Sequence, residues 1–67
     1  MTTAPDLFLQ VCAQPTLENA LRLLTAGELA ALMTWFAAKE QLGEIEEEVW
    51  AACQMEAAKR WLALQTK

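Results

Sequence analysis

The segment 29–38 (LAALMTWFAA) is apolar at every position except Thr34, and it lies within a pattern typical of a helix. A helix that is apolar around its whole circumference must be covered on every side. A chain of 67 residues has little other material to cover it, because a domain of this size buries only about 60 % of its unfolded surface. The pattern therefore predicts that the surface of another molecule covers part of this helix, either when the protein folds or when it acts.

Two short helices are predicted in the N-terminal third of the chain. Thr3 can cap the first, over residues 4–13, and the proline and aspartate that follow it suit the first turn. Pro15 then interrupts the helix. Thr16 can cap a second helix over residues 16–24. One kinked helix over both segments is the alternative.

Two longer helices are predicted to follow. Thr25 and Glu28 have the spacing of a capping box, which predicts a third helix over residues 26–42. Gly43 is expected to end it in the left-handed conformation. A fourth helix over residues 44–65 would complete an αα-hairpin joined by a tight turn. The whole chain is thus expected to form one all-α domain, a helical hairpin with the short N-terminal helices packed over it.

The bulky side chains of the third helix cluster on one face of a helical wheel and are the expected core of the hairpin. Apolar surface left over around Trp35 points to a second subunit, so that the hairpins would form a homodimeric helical bundle. The residues assigned to the core or to the dimer contact are Leu29, Leu32, Met33, Trp35, Phe36, Val49 and Cys53.

The third helix also carries a face of small residues that permits close approach of another helix, and the segment 16–24 is the expected occupant. The members of this face are Ala30, Ala31, Thr34, Ala37 and Ala38.

The fourth helix has two apolar sides. The broad side holds Ile45, Val49, Cys53, Ala57 and Leu64, with Trp50 and Trp61 at its edge, and the narrow stripe nearly opposite holds Ala51, Met55, Ala58 and Leu62. A monomer would leave one of these sides exposed, and a contiguous apolar strip usually marks an interface. With the acidic residues that precede them, the residues assigned to partner binding are Glu44, Glu47, Glu48, Trp50, Met55, Trp61 and Leu62.

Charge and composition narrow the class of function. The net charge is −4, which disfavours direct binding to nucleic acid. The acidic residues at the start of the fourth helix suit the helix dipole, as do Lys59 and Arg60 towards its end. They could also form a docking patch for a basic partner, since complementary charge speeds association and selects partners.

The chain contains no His, Ser or Tyr, so the commonest catalytic base and nucleophile are missing and an enzyme is not expected. Cys12 and Cys53 are expected to be free thiols in a reduced cytoplasmic protein, because residues 1–10 do not resemble a secretion signal. No metal site, cofactor or membrane span is expected.

Two classes of function fit these features. The protein could be an inhibitor or adaptor that captures a larger protein, or a structural helical-bundle oligomer that builds part of an assembly. A helix-turn-helix DNA reader is a distant third, because no predicted helix is basic.

The unit formed by helix 26–42, Gly43 and helix 44–65, together with the MTT…DLFLQ opening, resembles the small anti-quorum-sensing proteins of Pseudomonas phages. This resemblance spans most of the chain and is one of size and pattern. It implies a compact helical homodimer in the host cytoplasm that binds a LuxR-type transcriptional regulator and blocks its DNA binding. It further implies a pilus-assembly ATPase as a second partner.

Overall fold

The structure is a computed structural model that describes residues 3–65, all of whose regular elements are helices. The helices are α1 (Ala4–Cys12), α2 (Leu17–Arg22), α3 (Ala26–Ala37) and α4 (Glu44–Gln65). The all-α prediction is therefore confirmed, and the two N-terminal segments are separate helices.

The four helices contact one another in a closed ring. α1 packs against α2 and α3, and α4 packs against the other sides of the same two helices. α4 has 22 residues and is about 33 Å long at 1.5 Å per residue, so it runs along the 36 Å long axis of the molecule. The prediction that α2 would cover the small-residue face of α3 is wrong. α2 packs mainly on α1 and α4, and all five residues of that face are exposed.

Threonine caps begin the first three helices. The Thr3 and Thr16 hydroxyls accept from the backbone N–H groups of Asp6 and Asn19. Thr25 and Glu28 form both hydrogen bonds of the capping box, at 3.1 and 2.9 Å. These local bonds satisfy backbone donors that a helix leaves without partners in its first turn, which explains why their positions could be recognised from the sequence.

The junction between α3 and α4 differs from the prediction in two respects. α3 ends at Ala37 rather than at residue 42, and Gly43 does not adopt a positive φ. Gly43 instead begins α4. Its carbonyl accepts from the Glu47 N–H at 2.8 Å, and its own N–H donates to a Glu46 carboxylate oxygen at 3.0 Å.

Lys39 holds this six-residue connection (38–43) in place. Its ammonium group lies 3.9 Å from the centre of the Trp35 ring and also pairs with the Glu46 carboxylate. The pKa of Glu46 is lowered because its carboxylate accepts from Lys39 and from the Gly43 N–H. One side chain thus ties the end of α3 to the first turn of α4, which makes a tight glycine turn unnecessary.

Phe36 lies at the centre of an aromatic cluster that joins three helices. Its ring centre lies 5.8 Å from Phe8 of α1, 5.3 Å from Trp35 and 5.9 Å from Trp50 of α4. The rest of the core surrounds this cluster. Its buried members are Leu7, Val11, Ala20, Leu21, Leu24, Leu29, Leu32, Phe36, Val49 and Cys53.

Arg60 joins α4 to the C-terminal end of α2. Its guanidinium donates to the carbonyl oxygens of Leu21, Arg22 and Leu24, at 3.0, 3.4 and 2.7 Å. The last carbonyls of a helix have no partner within the helix, and a cation there also suits the helix dipole. Arg60 and Lys59 were expected to interact with the dipole at the C-terminal end of their own helix. This expectation is wrong, because neither residue lies in the last turn of α4. Lys59 instead pairs with Glu18 of α2 at 3.1 Å.

Replacement of Phe36 by alanine should reduce the free energy of unfolding by about 3–5 kcal/mol, because it removes a buried ring shared by three helices. Urea denaturation followed by circular dichroism measures this loss. Phe36→Leu, which keeps most of the volume, should cost clearly less. A loss below about 1 kcal/mol for Phe36→Ala would place Phe36 outside the core.

Arg60→Met should reduce the free energy of unfolding by about 1–3 kcal/mol, because carbonyls at and just past the end of α2 lose a charged donor and Glu56 loses its ion-pair partner. Lys59→Met is the matched control. Its exposed ion pair should contribute less than about 1 kcal/mol. Equal losses for the two variants in the same denaturation experiment would contradict the capping role of Arg60.

Candidate binding surface

The surface that α4 turns away from the other helices joins an acidic half to an apolar half. We call it the outer face of α4, and each of its members is exposed. Apart from the adjacent Glu47 and Glu48, its members follow one another at intervals of three or four residues, so they lie in one stripe along the helix. They are Glu44, Glu47, Glu48, Ala51, Met55, Ala58 and Leu62.

The acidic half consists of Glu44, Glu47 and Glu48. Within residues 3–65 none of these three carboxylates forms an ion pair, whereas Glu46 on the inner side pairs with Lys39. The positive end of the helix dipole stabilises negative charge in this turn. The helix therefore tolerates three carboxylates that remain available to a basic surface.

The apolar half consists of Ala51, Met55, Ala58 and Leu62. The Met55 and Leu62 side chains are 63 % and 56 % exposed, and the neighbouring Trp61 is 60 % exposed. Large apolar side chains grouped on one surface in this way mark an interaction site more often than isolated ones do. The structure thus brings together five of the seven residues assigned to partner binding on the outer face, with Trp61 beside it.

The two tryptophans of α4 lie in different environments, although the sequence placed them on one line. Trp50 is half-buried and its ring packs edge-on against Phe36, so it belongs to the aromatic cluster rather than to the binding surface. Trp61 lies three turns further on, directly after Arg60, and is exposed.

The residues assigned to the core or dimer contact lie on the inner side of the helices. Leu29, Leu32, Phe36, Val49 and Cys53 are buried, and Met33 and Trp35 are partly buried against them. Two residues of the predicted broad apolar side of α4 depart from this arrangement. Ile45 and Leu64 are exposed, and they lie in the first and last turns of α4.

The sequence interpretation missed an apolar groove beside the start of α4. Ile45 borders it together with Phe8 and Cys12 of α1, and its volume is about 550 Å³. Its lining residues come from α1 and from positions 43–46. No signal in the sequence joins these distant segments.

The two thiols of the chain lie in different environments. Burial raises the pKa of the Cys53 thiol to about 11, so it stays protonated and unreactive in the core. Cys12 is exposed, and the two cysteines are not bonded to each other. Within residues 3–65 no three potential ligands of the Cys, Asp or Glu type are placed to hold a metal ion.

Among the described residues, no helix combines the length and the apolar character needed to cross a membrane. Comparison of the chain with protein-family models, with curated proteins and with solved structures finds no match.

The two thiols should react very differently with iodoacetamide at about pH 8. Cys12 should be alkylated in the folded protein, whereas Cys53 should react only after denaturation, because it is buried and its pKa is raised. Mass spectrometry of tryptic peptides distinguishes the two sites. The free energy of unfolding should also fall as the pH rises from about 9 to about 11, because in this range the Cys53 thiol loses its proton only in the unfolded state. Rapid alkylation of Cys53 in the folded state would contradict its placement in the core.

Proposed function

We propose that this protein is a stoichiometric inhibitor that binds the basic, DNA-contacting surface of a transcriptional regulator through the acidic half of the outer face of α4. The observation that carries the proposal is the set of three exposed carboxylates, Glu44, Glu47 and Glu48, which form no ion pair within residues 3–65. They occupy a rigid helix, so their spacing is fixed before binding.

The electrostatics support a basic partner. A surface that contacts DNA is built to hold closely spaced negative charges with Lys and Arg side chains. Carboxylates one helical turn apart offer a similar row of negative charge, and the net charge of −4 attracts such a surface over a longer range. Binding there would exclude DNA by direct competition.

The partner class follows from the resemblance to the anti-quorum-sensing proteins, which implies a LuxR-type regulator. Its DNA-binding helix is the surface that we propose the carboxylates contact. A pilus-assembly ATPase is the second partner implied in the same way, and no feature of the outer face of α4 favours it. An acidic docking surface favours an inhibitor over a purely structural role, because complementary charge acts mainly on partner selection.

Neutralisation of the acidic half should weaken inhibition. A purified LuxR-type regulator bound to its operator DNA is titrated with this protein in a gel mobility-shift assay. The wild-type protein should release the DNA, and the double variant Glu44→Gln/Glu48→Gln should need at least about tenfold more protein, equivalent to about 1.4 kcal/mol. Raising the salt concentration should weaken the wild-type effect.

Glu40→Lys is the matched control. It changes the net charge by the same amount, two positive units, at an exposed site in the α3–α4 connection. This variant should inhibit nearly as well as the wild type. A wild-type protein that leaves the DNA bound, or equal losses for the two variants, would refute the proposal.

A further inference from the structure

We propose that the apolar groove beside the start of α4 binds a bulky apolar side chain of a basic protein segment, in which Lys or Arg lies next to that side chain. We call this groove the α1–α4 groove. The inference rests on the proposed function for the identity of the partner, because the groove adjoins the acidic half of the outer face of α4. The residues that line it are Phe8, Cys12, Gly43, Glu44, Ile45 and Glu46.

The α1–α4 groove offers apolar surface that is accessible from solvent. The Ile45 side chain is 62 % exposed, and Cys12 of α1 is exposed as well. The groove has a volume of about 550 Å³, which lies within the range of roughly 300–1,000 Å³ that is typical of ligand pockets. It therefore has room for a bulky side chain.

Contacts within the subunit fix both walls of the groove. The half-buried ring of Phe8 lies 5.7 Å from Trp35 and 5.8 Å from Phe36, between ring centres. Glu46 is held by its ion pair with Lys39 and by the Gly43 N–H. Because these contacts exist without a partner, the groove is formed before binding, and little conformational entropy is lost when a side chain enters it.

The charge at the edge of the groove selects its occupant. Lys39 balances the charge of Glu46, whereas Glu44 is exposed and forms no ion pair within residues 3–65. An anionic amphiphile would be repelled by Glu44. An uncharged apolar segment would remove water from this carboxylate without replacing its interactions, which costs free energy. A segment that combines an apolar side chain with a cation satisfies both parts of the site.

The groove and the acidic half of the outer face share Glu44, so one partner segment can contact both. Glu47 and Glu48 lie about 5 Å further along the helix axis. A partner whose cations contact these carboxylates therefore brings the neighbouring side chains of the same segment to the groove. Exposed ion pairs contribute little to affinity, and burial of an apolar side chain adds the free energy that they lack.

Cys12 reports directly on occupation of the groove, because it lines the groove and is exposed. The full chain is treated with iodoacetamide in the presence of a synthetic amphipathic helical peptide of leucine and arginine, and mass spectrometry follows the modification of Cys12. At a saturating peptide concentration the modification should slow by about tenfold, since only the unoccupied groove reacts. Two further peptides, one with serine in place of leucine and one with glutamate in place of arginine, should leave the rate unchanged.

Ile45→Gln should abolish the protection of Cys12, because it replaces an apolar wall of the groove. Leu9→Gln is the matched control. Leu9 is an apolar residue of α1 that is 65 % exposed, and it does not line the groove. This variant should keep the protection. Circular dichroism checks that both variants retain their helices.

Several outcomes of the alkylation experiment would overturn the proposal. One is the absence of protection by the leucine–arginine peptide, and another is equal protection by all three peptides. Equal effects of Ile45→Gln and Leu9→Gln would place the contact elsewhere. Modification of Cys12 that slows as the concentration of the protein alone rises would assign the groove to a second copy of the chain, which also contradicts the proposal.

The gel mobility-shift assay separates this inference from the proposed function. Ile45→Gln should need about fivefold more protein than the wild type to release the DNA, because the contact buries less apolar area. This loss should persist when the salt concentration is raised, since salt screens only the charges. A wild-type protein that leaves the DNA bound refutes the proposed function, whereas protection of Cys12 by the peptide would still support the occupant of the groove. Release of the DNA by Ile45→Gln at the wild-type concentration leaves the proposed function standing and overturns the role of the groove.

Discussion

The structure depends on one constraint: α4 is too long for the rest of the chain to cover. Its 22 residues compare with 9, 6 and 12 in α1, α2 and α3. The shorter helices bury one side of α4 around Val49 and Cys53 and close into a ring on that side. The opposite side therefore stays open along its whole length. The ring is completed at each end of α4 by one cation, Lys39 near its start and Arg60 near its end.

The open side is divided chemically, and its acidic part carries the proposed function. Its first turns hold negative charge that no cation within residues 3–65 pairs with, and its later turns hold Met55 and Leu62. Charge at a surface acts mainly on the choice of partner and the rate of association, whereas apolar area supplies most of the binding free energy.

The parts of the fold that could be predicted from the sequence are those set by local chemistry and by periodicity. Each of the first three helices has the predicted N-cap, namely Thr3, Thr16 and Thr25. These caps could be predicted because a cap involves residues only a few positions apart. The exposed stripe of Met55 and Leu62 followed from the helical period. The end of α3, the conformation of Gly43 and the role of Arg60 could not be predicted. Each depends on a contact between helices, such as that of Lys39 with Glu46 or of Arg60 with the end of α2.

The most direct test of the covered and open sides of α4 is the solvent exposure of its side chains in dilute solution. Methyl NMR signals recorded with a soluble gadolinium chelate report this exposure residue by residue. The Met55 and Leu62 methyl signals should broaden strongly, whereas those of Val49 should be protected as well as those of Leu32. Equal broadening of Val49 and Leu62, or protection of Met55 and Leu62 in the monomer, would contradict a helix that is covered on one side only.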